Sequence, residues 1–315
     1  MSISARTVAP AHRSLIRTPP APEPQATVQA PGRGHRLPGW ARVLLAVVAT
    51  ALSAFSVILP TLIPGVLDKV QGPEATATTA LIVIMIIWAP ALPCYLLTSF
   101  LLTRYVDRRP PAVLGLRLSA RSMAGLLGAT ALAAAVVLLV RVVVHMAGGG
   151  QPVDANPGGA PLALVIAYGL ARAFLLQGIG EEVLWRGYVL QSLSARPKRA
   201  LWVSVLVFTA MHLISQGGQD GALDRVLYLI PTFGFALLAG CLALWTRSVW
   251  PAIGIHGGFH TGHVVATVTG VNSLSIPQEV AVGLIMTALA LVVATRITPQ
   301  RWAEIAQRGP YAPAQ

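Results

Sequence analysis

Glu181 and Glu182 stand side by side inside a long apolar run, with Arg186 four residues beyond the second of them. Later apolar runs carry His212, and then His256, His260 and His263. An ionised carboxylate in hydrocarbon costs at least ~2.5–3.5 kcal/mol, so an acid within a membrane span marks a functional site by default. On a helix, Glu182 and Arg186 form an i,i+4 pair suited to an ion pair. Glu181 points ~100° away and has no partner on its own helix. The spacing therefore predicts a division of labour. The pair neutralises itself and orders the helix, while Glu181 is free to act as a general base on water. A helix-packing pair explains Glu182 and Arg186 equally well when they are taken alone, but it leaves Glu181 unexplained.

His256, His260 and His263 fall at i, i+4 and i+7, on one helix face. Gly254, Gly258 and Gly262 make a small-xxx-small stripe on roughly the opposite face, which suits close helix packing in lipid. The histidines are then expected to turn toward a polar cavity. Counted at ~1.5 Å per residue from the nearest cationic ends, Glu181, His212, His256 and His260 all lie ~14–20 Å deep. Three helices thus bring polar groups into one slab near the membrane middle.

The elements that must position these groups are set by composition. The chain has 315 residues, 55% hydrophobic and 11% charged, with a mean hydropathy of +0.67. This is an integral membrane protein rather than a water-soluble globule. The net charge of +12 is spread over tails and short loops, so the partner it implies is the lipid bilayer and not nucleic acid. Cys94 and Cys241 lie in apolar runs and imply no disulfide framework.

Runs long enough to cross the ~30 Å hydrocarbon core occur near 40–66, 79–103, 122–146, 162–190, 200–215, 226–246, 249–270 and 279–296. They predict an all-α, polytopic transmembrane helix bundle of about eight spans, kinked near Pro64, Pro90, Pro93 and Pro231. Glu181 and Glu182 are the acids placed inside spans, and the other Asp and Glu residues fall in tails or connections. Arg172 and Arg186 are read as the intramembrane bases, with Arg141 assigned to a connection. Residues 1–36, rich in Pro, Ala and Arg, are expected to be a disordered cytoplasmic tail. Arg and Lys cluster in alternate loops, which places both termini in the cytoplasm of a multi-pass cell-membrane protein.

Glu181-Glu182-x-x-x-Arg186, then Phe208-x-x-x-His212, then His256-x-x-x-His260 resemble the successive motifs of the CPBP intramembrane protease family. That family comprises the CAAX prenyl proteases and the bacteriocin-processing or immunity proteins, also called the Abi group. The resemblance extends over roughly residues 80–296. It divides the chain into the tail, a transmembrane protease domain at 37–298 with its motif core at 162–263, and a cytoplasmic C-terminal tail at 299–315. It implies an intramembrane endopeptidase in which Glu181 and His212 activate water, with Glu182 and Arg186 in support. His256 and the residue four later would stabilise the oxyanion or help to hold a metal. The family's last motif position is usually Asn or Asp, and here it is His260. That change makes a Zn²⁺ site at His212, His256 and His260 a second reading, beside a metal-free Glu/His mechanism. Phe208 is expected to pack and not to do chemistry.

The substrate class that follows is a peptide or another membrane protein. Two other functions compete with proteolysis. One is a catalytically silent membrane scaffold or immunity protein; the other is a proton- or metal-coupled transporter, against which no inverted repeat is evident.

Overall fold

The computed structural model describes residues 37–149, 158–215, 221–271 and 275–313. The expected tail at 1–36 lies outside the described residues. Among those described the chain is helical throughout, with no strand. Its longer helices are α1 (Gly39–Thr61), α2 (Ala77–Val106), α3 (Ala120–Met146), α4 (Leu162–Ser192), α5 (Pro197–Met211), α6 (Ala222–Thr246), α7 (Trp250–Val268), α8 (Ile276–Thr295) and α9 (Pro299–Arg308).

Local chemistry sets the boundaries. Prolines sit in the first turns of α5, α7, α8 and α9, where the missing N–H is no loss and the fixed φ suits a helix. The side chains of Thr76, Ser119 and Thr298 accept from backbone N–H groups three residues on, capping α2, α3 and α9. The helical ladder of α2 breaks at Ala89–Pro90 and resumes at Ala91, in line with the expected kink.

Among the described residues six helices are long and apolar enough to cross a bilayer: α1, α2, α3, α4, α6 and α8. This makes the chain a multi-pass membrane protein. The two that complete the expected eight are α5 and α7. α5 has 15 residues, and α7 is diluted by its histidines and glycines. α5, which leads directly into His212, and α7, which carries His256 and His260, are therefore too short or too polar to read as ordinary spans.

α7 is the central strut, packed on α3 along its longest seam and also on α6 and α4. The glycine stripe makes this possible. A Cβ at Gly254 would lie 2.4 Å from the Leu126 carbonyl oxygen, and one at Gly258 would lie 2.5 Å from that of Thr130. At Gly262 a Cβ would lie 2.7 Å from Val137 Cβ. Gly234 and Gly283 do the same for α6 on α8, where a Cβ at Gly234 would meet the Gly283 carbonyl oxygen at 2.2 Å. Close backbone approach of this kind is how helices gain dispersion contacts in a solvent as apolar as themselves.

The segment at 299–315, read as a tail, carries α9. Arg301 Nε donates to the Leu244 carbonyl at 3.0 Å, and Arg247 forks onto the Glu304 carboxylate. That fork, helped by Arg301, holds the Glu304 carboxyl below its ordinary range.

Gly258→Val should force α7 off α3 and lower the thermal midpoint in detergent, with a loss of about 1–3 kcal/mol or more. Leu139→Ala, on the exposed face of α3, should move it little. Equal midpoints for the two variants would show that the seam does not bear the packing assigned to it.

Candidate active site

α4 is not a regular α-helix. Ala171–Gly178 and Val183–Val189 are π-helical, and the one α-helical turn between them, Ile179–Glu182, carries both acids. π-helical insertions are rare and recur at functional sites, because the wider turn re-aims side chains. Gly178 and Gly180 let neighbours close in. A Cβ at Gly178 would lie 3.3 Å from Gly257 N of α7, and one at Gly180 would lie 2.6 Å from the Tyr95 ring of α2.

The expected ion pair is present. Arg186 Nη1 donates to Glu182 Oε1 at 3.0 Å, with both side chains fully buried. Three further contacts fix this pair. His256 Nδ1 lies 3.0 Å from the same Glu182 oxygen, and Arg186 Nη2 donates to the Ala236 carbonyl of α6 at 3.0 Å. The guanidinium carbon stands 4.6 Å over the Phe208 ring of α5, a cation–π contact. Phe208 therefore does more than pack: it carries the buried cation on its face and accepts from His212 Nδ1 through its carbonyl at 2.9 Å.

These bonds fix tautomers. A carbonyl oxygen only accepts, so His212 Nδ1 bears the hydrogen and a neutral ring keeps its lone pair on Nε2. His256 Nδ1 faces the Glu182 oxygen that already accepts from Arg186, so it bears the hydrogen there as well. His260 makes no hydrogen bond to any described residue, and its ring lies 5.3 Å from that of His256.

Glu181, His212, His256 and His260 line one cavity of about 260 Å³ between α1, α2, α4, α5, α6 and α7. Glu181 Oε2 and Gln177 Oε1 are buried with no hydrogen-bond partner among the described residues. A pair of orphaned acceptors at a polar cavity is a place for a donor that the protein itself does not supply, water above all.

His263 departs from the expected cavity face. Its Nδ1 meets Arg141 Nη2 of α3, and its Nε2 lies 3.5 Å from Glu279 Oε2 of α8. Arg141 Nη2 also reaches Glu279 Oε1 at 3.1 Å. Two sequence readings are corrected here. Glu279 is a third acid within a membrane-spanning helix, in the first turn of α8, and Arg141 is a buried base of α3. Arg141 lies 122 and 138 positions from its two partners, so no local spacing could reveal the triad.

The zinc reading does not fit this geometry. Among the described residues no three His, Cys, Asp or Glu side chains are gathered closely enough to hold a metal ion. No step is routed through a metal below. Sequence reasoning also gave no role to Tyr95, Gln177, Tyr228 or Phe235, which line the cavity. For Arg172, also on the cavity wall, the signal was visible as a charge within an apolar run.

Residues 163–262 match the family described as type II CAAX prenyl endopeptidase Rce1-like. The matched segment begins in α4 and ends in α7, so it spans every motif that carried the CPBP resemblance, and that resemblance holds. The match supports protease activity in general. No curated protein matches the chain.

Glu182→Ala should strand Arg186 as a buried unpaired cation and lower stability by about 3–5 kcal/mol. Glu181→Gln removes no ion pair and should change the thermal midpoint little. If both substitutions destabilise alike in detergent, Glu182 is not the structural partner described here.

Proposed function

We propose that the protein is an intramembrane endopeptidase that cleaves a peptide or membrane-protein segment with a water activated by Glu181 and His212. The single observation that carries this is the unpartnered Glu181 carboxylate oxygen, in a cavity shared with a His212 whose tautomer leaves Nε2 as an acceptor. A water donating one hydrogen to each acceptor keeps a lone pair on its oxygen for the scissile carbonyl carbon. As the bond to carbon forms, the water's proton passes to Glu181, which later delivers it to the leaving amine.

The negative charge that develops on the carbonyl oxygen needs a donor, and His260 is the uncommitted one. Its imidazole N–H replaces the amide N–H of the Asn that usually stands in this motif position. His256, bonded to Glu182, serves as an anchor for that carboxylate in this reading. Glu182 and Arg186 hold α4 to α6 and α7 and set the field around the water. The alternative of a silent scaffold loses ground because every group the mechanism needs is present and in one cavity.

Purified protein should cleave members of a fluorogenic peptide library, and Glu181→Gln should lose at least ~10²–10⁴-fold in rate. His260→Asn, which keeps a donor, should retain most of the activity, and a chelator should leave the wild-type rate unchanged. Stoichiometric zinc that is lost in His260→Asn, together with chelator-sensitive cleavage, would overturn the metal-free reading.

Both termini are assigned to the cytoplasm, on the asymmetry of Arg and Lys between alternate loops. In a chain lacking Cys94 and Cys241, a cysteine at Ala147 should react with an impermeant maleimide on intact cells. One at Ala195 should react only after permeabilisation, and the reverse pattern would invert the topology.

A further inference from the structure

Arg172 lies in α4, nine residues on the Leu162 side of Glu181, and lines the same cavity as Glu181, His212, His256 and His260. It is exposed into open space and forms no ion pair or hydrogen bond with any described residue. The two buried arginines of α4 and α3 are engaged, Arg186 with Glu182 and Arg141 with Glu279. A cation in a membrane-spanning helix with no partner among the described residues is expensive and marks a function by default.

Two bland explanations are weaker. Snorkelling to the interface is difficult, because Arg172 stands ~13–15 Å along the helix from Leu162, further than an arginine side chain reaches. Pairing within the cavity is the other, but Glu181 keeps an unsatisfied oxygen and does not pair with it. A guanidinium held this way is a fork-shaped receptor for a carboxylate, and in a low-dielectric cavity the charge-assisted bond is a strong one.

We infer that Arg172 determines specificity by receiving a carboxylate of the peptide substrate close to the bond that is cut. This rests on the endopeptidase reading above. Arg172 and Glu181 are separated by at most ~14 Å along the helix, and an extended peptide advances ~3.3–3.6 Å per residue. The carboxylate then falls about two to four residues from the scissile bond. It can come from the substrate's own C-terminus or from an Asp or Glu side chain.

The test separates binding from turnover. Fluorescein-labelled octapeptides of Ala, Val and Leu are prepared as the free acid, as the C-terminal amide, and as amides carrying Asp at each of the last four positions in turn. Anisotropy in detergent micelles reads their binding to the Glu181→Gln chain, in which turnover is stopped. The free acid or one of the Asp amides should bind roughly ten- to hundredfold tighter than the plain amide. Which of them does so identifies the source of the carboxylate.

Arg172→Gln in the same background should bring that ratio close to unity, and Arg172→Lys should keep part of it, since the charge remains while the fork is lost. Because the readout is a ratio within one protein, partial loss of folded material does not mimic the effect. A ratio unchanged by Arg172→Gln, or probes that all bind alike or not at all, overturns the inference. A carboxylate preference that depends on Arg172, in a wild type that cuts no peptide, would leave the subsite standing and sink the endopeptidase reading instead.

Discussion

Everything at the centre of this bundle depends on one carboxylate oxygen. Glu182 Oε1 receives both Arg186 Nη1 and His256 Nδ1 at 3.0 Å, and none of the three residues is more than 1% exposed. A buried ion pair gains little net stability against an apolar substitute, because desolvation offsets the attraction. Its effect is to set which arrangement is allowed. With Arg186 also bonded to Ala236 and resting on Phe208, four helices must keep one mutual register or leave a charge unpaired in a medium without water. The register that satisfies Glu182 is also the one that puts Glu181, His212 and His260 around a single cavity.

The π-helical stretches of α4 are part of the same constraint. A widened turn leaves backbone carbonyls without their usual partners, and something outside the helix must satisfy them. The Arg186 carbonyl accepts from the Tyr311 hydroxyl, which arrives from beyond α9 because Gly115 leaves room for the ring; a Cβ there would sit 2.6 Å from it. Arg301 bonded to Leu244 and Pro310, and Arg247 bonded to Glu304 and Ala312, hold that terminal segment in place. The C-terminal segment thus acts as a brace under the helix that carries the acids, although it lies outside the matched 163–262 segment.

What could be read beforehand follows from the range of each interaction. The i,i+4 pair of Glu182 and Arg186, the lone Glu181 and the glycine stripe of α7 are local patterns, and each appears in the structure as expected. The helix count was nearly legible for the same reason, since a membrane span is a local run of apolar residues. The misplacement of Arg141 and Glu279 came from judging each by its position near a helix end. Their burial depends on each other and on His263, across three helices. The π-helical geometry of α4 left no composition signal at all, because the same apolar residues fit either ladder. His263 shares its face with His256 and His260 by angle alone. Depth along α7 then separates it from them, two turns further from the Glu182 anchor and within reach of α3 and α8 instead.

The polarity of α7 completes the physical picture. A helix bearing three histidines and four internal glycines, Gly254, Gly257, Gly258 and Gly262, is poorly suited to lipid, and in this fold it scarcely meets lipid. From Pro251 to Phe259 every residue is buried, enclosed by α3, α4 and α6. The apolar outer helices act as its solvent, and the glycines let them approach closely enough to replace the dispersion contacts that lipid would offer. That enclosure allows imidazoles to sit in the middle of a membrane with defined tautomers. An isolated polar helix would draw in water and headgroups and lose them. The same enclosure keeps the cavity small, at about 260 Å³. Gln177 Oε1, Glu181 Oε2, His260 and Arg172 are left there without a hydrogen-bond partner among the described residues.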